Sequence, residues 1–172
     1  MRSYILLLSV FFCSCSSTIY VVRHAEKETG LDPATMKPFT NPPLSFEGQQ
    51  RALKLKEMLG GNNFKHIYST NTLRTISTAN PLKELFLNVP VTIYSSKMDS
   101  MDAFIGKVKD IKKGDVLIVG HSNTVDDLVN KLCGETVVPG DLKDTDYDNL
   151  FVVKKKGGKF TCKKEKYGVP LK

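Results

Sequence analysis

The stretch Ile19-Tyr20-Val21-Val22-Arg23-His24-Ala25-Glu26-Lys27 decides how the rest of the chain is read. Its apolar, β-rich start stops abruptly at an arginine and a histidine, as when an open α/β sheet presents polar groups at the carboxyl end of a buried strand. Arg23 carries a permanent charge on a planar fork that matches phosphate oxygens. His24, when neutral, is a nucleophile and a proton carrier. Taken alone, the pair reads more readily as a strand cap and a structural hydrogen bond, so the weight falls on what surrounds it.

Working outward, a second run of the same kind occupies 116–119 and ends at Gly120-His121-Ser122-Asn123. A second histidine therefore stands at a second strand end. Between the two, residues 28–43 are rich in Gly, Pro, Thr and Asn and predict a surface loop beside the first strand's end. Ser45 is an N-cap candidate with Glu47 in the first turn, and Ala52, Leu55 and Leu59 recur on one helical face until Gly60-Gly61. A strand is expected over 64–68 and a helix from Leu73 with Arg74 near its start. Asn80-Pro81 reads as an N-cap and first-turn pair that restarts or kinks this helix. A short strand over 91–94 follows, and Met101, Phe104, Ile105 and Val108 at helical spacing are core packing. After His121, Val125, Leu128, Val129 and Leu132 share one helical side, with Gly134 as the stop. The segment 150–167 predicts a hairpin turning at Gly157-Gly158.

Strands alternating with helices define the fold class as α/β, a three-layer α/β/α domain with a mostly parallel sheet and a C-terminal antiparallel hairpin. Right-handed crossovers then put Arg23, His24, Arg74 and His121 on one rim.

A chain of 172 residues, 41% hydrophobic and 25% charged, makes one ordinary globular domain. Its amino terminus is separate: Met1-Arg2 precede an apolar run at 5–12, too short for a bilayer but suited to a secretory signal. We therefore divide the chain into a leader, 1–17, and a domain, 18–172. Cys13-Ser14-Cys15 just after the run resembles a bacterial lipoprotein processing site, with Cys15 or Cys13 as the lipidated residue. Export to the cell envelope or periplasm, with membrane attachment through a lipidated Cys15, is the expectation. Cys133 and Cys162 remain in the domain and show no metal-type spacing; pairing between them is left open. The net charge of +7 owes much to Lys154, Lys155, Lys156, Lys159, Lys163, Lys164 and Lys166 in the hairpin. Without an RNA-binding motif or an aromatic stacking pattern, these read as lysines that solubilise an edge, and no nucleic-acid partner is expected.

Four segments in order, Val21-Val22-Arg23-His24-Ala25-Glu26-Lys27, Pro43-Leu44-Ser45-Phe46-Glu47-Gly48, Tyr68-Ser69-Thr70 leading to Leu73-Arg74-Thr75, and Val119-Gly120-His121-Ser122-Asn123-Thr124, resemble the histidine phosphatase superfamily. Within it the likeness is to the phosphoglycerate mutase-like and SixA-like branch and runs over about 19–134. The resemblance implies a phosphatase without metal or cofactor, acting on small phosphomonoesters or on phosphohistidine proteins. His24 would form the phosphohistidine while Arg23, Arg74 and His121 hold the nonbridging oxygens. Positive neighbours would keep His24 deprotonated. This chain departs from the family pattern by Ala25, where Gly is common after the first His, and by Ser122, which separates it from the branch whose general acid follows the second His.

For the leaving-group acid, the interval between Arg74 and His121 offers Glu84, Asp99, Asp102, Asp110 and Asp115; Asp99 is preferred and Asp102 is second. Lys27, Ser122 and Asn123 are substrate-binding candidates. His66, inside a strand, reads as structural. Two other readings compete: a noncatalytic phospholigand-binding or interaction protein that keeps the fold, and a metal hydrolase using His24, His66 and His121. The second is discounted because the histidines lack ligand spacing and Arg23 and Arg74 would repel a divalent cation.

Overall fold

A computed structural model of the protein describes residues 17–156 and 158–168. The expected leader, including Cys13 and Cys15, and the first glycine of the hairpin pair, Gly157, lie outside the described residues. Among the described residues no helix is long and apolar enough to cross a membrane.

The chain alternates β1 (Thr18–Arg23), a small ribbon of β2 (Leu31–Asp32) and β3 (Lys37–Pro38), α1 (Phe46–Leu59), β4 (Phe64–Ser69), α2 (Leu73–Lys83), β5 (Val91–Ile93), α3 (Met98–Lys109), β6 (Asp115–Gly120), α4 (Val125–Cys133), β7 (Asn149–Lys156) and β8 (Lys159–Lys166). The main sheet has six strands in the order β5-β4-β6-β1-β7-β8. β1, β6, β4 and β5 run parallel, whereas β7 joins β1 antiparallel and turns back as β8. This is the predicted α/β architecture.

Side-chain alternation in the two central strands builds both cores. Ile19, Val21, Val116 and Ile118 face α3 and α4, meeting Met101, Phe104, Ile105, Leu128 and Leu132. Tyr20, Val22, Leu117 and Val119 face the other way, onto Leu55 and Leu59 of α1 and Ala79 and Leu82 of α2. Both faces of the sheet are covered, which is why these strands read as continuous apolar runs.

The helix ends follow their capping chemistry. Ser45 Oγ accepts from Gly48 N, Thr72 Oγ1 accepts from Thr75 N, and Gly134 closes α4 in the left-handed region at φ 77°. One expectation fails: Asn80-Pro81 neither restarts nor caps a helix, because α2 runs through Pro81 to Lys83. Proline sits in the last turn there, and Glu84 N still reaches the Asn80 carbonyl, so the loss is confined to one bond. The loop at 28–43 holds the β2–β3 ribbon, too short to leave a periodic signal.

Cys133 and Cys162 are free and half-buried against the same core. Burial raises both thiols, Cys162 to about 11, where Cys133 adds a second, smaller push.

Candidate active site

β1 and β6 are neighbours in register, Arg23 opposite Gly120, so the residues that follow emerge one strand spacing apart at the sheet's carboxyl edge. His24 N donates to the Gly120 carbonyl at 2.9 Å, tying the two strand ends together. The rings of His24 and His121 lie with centroids 5.5 Å apart, edge to face at 67°. Arg74, one residue into α2, reaches them from β4's side, its Nη2 3.4 Å from His121 Nδ1.

These four residues line an open cavity of about 610 Å³, together with Lys27, Thr29, Ser96, Ser122, Asn123, Thr124, Asp144 and Tyr147. Arg23 and His24 are each 4% exposed, so the polar end of β1 is sunk into the fold.

Hydrogen bonds assign the tautomers. His24 Nδ1 lies 2.7 Å from the Ala25 carbonyl, which can only accept, so Nδ1 carries the proton and Nε2 keeps its lone pair. For His121 the order is reversed. Arg74 can only donate, so Nδ1 accepts, and Nε2–H donates to Thr70 Oγ1 at 2.8 Å. Thr70 Oγ1 donates in turn to Thr75 Oγ1 at 3.0 Å, and Thr75 to the Thr70 carbonyl at 2.9 Å. This buried threonine relay at the start of α2 sets the ring of His121.

Both imidazoles are held neutral. Burial, followed by the charges of Arg23 and Arg74 and by His121, lowers His24 to about 3 against the opposing pull of the Ala25 carbonyl. Burial, then Arg74 and Arg23, lowers His121 to about 4. Desolvation is thus the leading cause, and the cationic neighbours that the sequence pointed to add to it.

Arg23 is anchored from a segment that sequence reading passed over. Its Nη1 donates to the carbonyls of Lys143 and Asp144 at 2.7 and 3.1 Å, and its guanidinium lies 4.0 Å from the centroid of the Tyr147 ring. Arg23 Nε and Arg74 Nε are buried without a hydrogen-bond partner. Such donors are costly to leave unmade.

Lys27, Ser122 and Asn123 line the cavity. Asp99 does not: it is exposed in the first turn of α3 and accepts from Ser100 Oγ at 2.9 Å. The short strand β5 ends at Ile93, and the connection into α3 turns Ser96 to the cavity instead. The other carboxylates of that interval are also elsewhere. Glu84 pairs with Lys56 and Asp102 with Lys131, Asp110 caps α3, and Asp115 accepts from Thr18 N and Asn63 N. His66 stacks on Tyr68 and lines no part of the cavity. Among the described residues lining the cavity, the one carboxylate is Asp144, which is fully exposed and 3.9 Å from Arg23 Nη2.

A covered parallel sheet with two neutral imidazoles and two guanidiniums converging at its carboxyl edge defines an oxyanion-binding α/β protein. Residues 19–96 match the model of the histidine phosphatase superfamily, branch 1. No curated protein matches it. Among solved structures, it is similar to the protein histidine phosphatase SixA complexed with tungstate, at 19% identity and a TM-score of 0.65, over 87% of this chain and 96% of that one. It is also similar to the alpha-ribazole phosphatase from Shigella flexneri, at 15% identity and a TM-score of 0.62, over 85% and 94%. A third, the phosphoglycerate mutase from Bacillus anthracis, aligns at 16% identity and a TM-score of 0.55, over 88% and 93%. At these identities the three establish a common fold.

Proposed function

We propose that the protein is a metal-independent phosphatase that passes the phosphoryl group through His24. The observation that carries this reading is the tautomer of His24. With Nδ1–H spent on the Ala25 carbonyl, Nε2 is an unprotonated nucleophile beside Arg23, Arg74 and His121. In the first step an Nε2–P bond forms as the bond from phosphorus to the leaving group breaks. In the second, water attacks phosphorus, the P–N bond breaks, and inorganic phosphate and neutral imidazole are released. The guanidiniums stabilise charge on the three nonbridging oxygens in both steps.

The leaving group is the finer question. Asp144, the one carboxylate among the described residues lining the cavity, lies fully in solvent 3.9 Å from Arg23 Nη2, so no buried carboxyl group faces the leaving-group side. This supports substrates whose leaving group departs without a strong acid, phosphohistidine on a partner protein first and aryl phosphates as surrogates. The similarity to SixA points the same way. We assign to the 1–17 leader the export of this domain to a bacterial envelope, with Cys15 as its lipid attachment point.

The test is turnover of an aryl phosphate and of phosphohistidine in the presence of chelator. Wild type is expected to turn over both, phosphohistidine with the higher kcat/KM, and His24→Ala to lose at least about a thousandfold, as removal of a covalent nucleophile does. A phosphoenzyme trapped on any residue other than His24 overturns the mechanism. Tight phosphate binding with no turnover would establish the noncatalytic reading.

A further inference from the structure

The edge of the sheet opposite the cavity carries a charge pattern that the chemistry above does not use. β1, β4 and β6 begin there, at Thr18, Phe64 and Asp115, and the antiparallel pair β7 and β8 turns there, between Lys156 and Lys159. Thr18 is in register with Lys154, so the chain enters the domain beside the hairpin lysines. The C-terminal end of α3 and the connection to β6 bring Lys109, Lys112 and Lys113 to the same edge.

The cations at this edge differ from the others on the hairpin. Toward the far end of β8, Lys163 pairs with Glu165 and Lys166 with Asp148. Among the described residues, Lys109, Lys112, Lys113, Lys154, Lys155 and Lys159 take part in no ion pair. Lys109 and Lys155 instead flank the half-buried ring of Phe160, at 5.6 and 5.3 Å from its centroid. Few carboxylates stand among them: Asp115 is turned inward onto two backbone N–H groups, and Asp110 and Glu135 are exposed. At the far end only Lys164 lies over a ring, that of Phe151, rather than in an ion pair, so unpaired charge is concentrated at the entry edge.

We propose that this lysine face is a docking surface for an anionic phospholipid bilayer. The chain argues for a membrane over a nucleic acid in one respect: Thr18 stands at the lysine face, and the segment joined to it carries Cys15, the lipid attachment point proposed above. A lipid anchor and a polybasic patch are the two signals that together hold a domain at a membrane surface. β1 is six residues long, which sets the lysine face roughly 20 Å from the catalytic edge. The cavity therefore opens away from the lipid, toward soluble phosphorylated partners.

The experiment is co-sedimentation of the full chain with vesicles of neutral lipid and with vesicles of about one-third anionic lipid, across a salt series. Wild type is expected to bind the anionic vesicles at least about tenfold more strongly than the neutral ones, with the difference lost at high salt. The variant Lys112→Gln/Lys113→Gln/Lys154→Gln/Lys155→Gln is expected to lose that preference while hydrolysing a soluble aryl phosphate as wild type does, which shows it folded. A control of equal charge at the opposite edge, Lys37→Gln/Lys97→Gln/Lys164→Gln/Lys166→Gln, should keep it. Equal binding to both vesicle types, equal loss in the control, or tighter salt-dependent binding to RNA than to anionic vesicles would overturn the proposal. None of these outcomes bears on His24.

Discussion

His24 is deprotonated mainly because β1 carries it into the fold, and only secondarily because guanidiniums surround it. The distinction has a consequence in solution. A neutral state set by burial survives high salt, whereas one set by neighbouring charge is screened. NMR titration of ring nitrogens in the free protein should therefore find His24 and His121 neutral from pH 8 to below pH 5, in low and high salt alike. His24 should show the Nδ1–H tautomer and His121 the Nε2–H tautomer. A His24 midpoint near the ordinary 6.5 would remove the prepared nucleophile. Adding inorganic phosphate should raise both midpoints, because a bound anion favours imidazolium beside it. The residues on which this depends were unevenly legible. Arg23, His24, Arg74 and His121 each stand at a strand end or helix start that periodicity marks. Tyr147 and Asp144 stand in an acidic stretch with no period, and nothing short of the fold brings them over Arg23.

At the scale of elements, the loop that follows β1 is clamped from α1. Gly48, in that helix's first turn, lies so close to the Glu26 backbone that a Cβ there would stand 2.0 Å from its carbonyl oxygen. Close approach of backbone, not φ, is why glycine is required. Three residues on, Arg51 donates to both oxygens of the Glu26 carboxylate and, through Nη1, to the Tyr167 carbonyl beyond β8. Gly48→Ala must push α1 off the loop, and we expect a loss of about 2–4 kcal/mol in urea unfolding together with a fall in kcat. A variant that is destabilised yet keeps wild-type kcat would show that the clamp serves the fold alone. Most element bounds could be read from caps and apolar spacing. Two could not: a proline in a last helical turn is locally indistinguishable from one that starts a helix, and the two-residue strands of the ribbon are shorter than any period. The preference for Asp99 failed for a related reason. It required knowing which way a short strand's exit turns, and that is decided by tertiary packing.

For the whole molecule, the same burial that prepares the site makes stability depend on pH. In the unfolded chain both histidines bind protons below about 6.5, while in the fold His24 does so only near 3 and His121 near 4. Between these limits the unfolded state holds more protons, so falling pH favours it, and stability should climb as pH rises through that window. Each group contributes roughly 1.4 kcal/mol per unit crossed once fully below its unfolded midpoint. The effect is large enough to compare with a whole domain's stability of about 5–15 kcal/mol. Urea midpoints should therefore fall steeply between pH 6.5 and 4.5 in wild type. In His24→Gln/His121→Gln, which leaves nothing to titrate at those two positions, the fall should be shallower. His66 and the carboxylates are common to both proteins, so the difference between the two curves isolates the pair. If the curves run parallel across that range, the imidazoles are not buried neutral, and the preparation of His24 for attack on phosphorus goes with them.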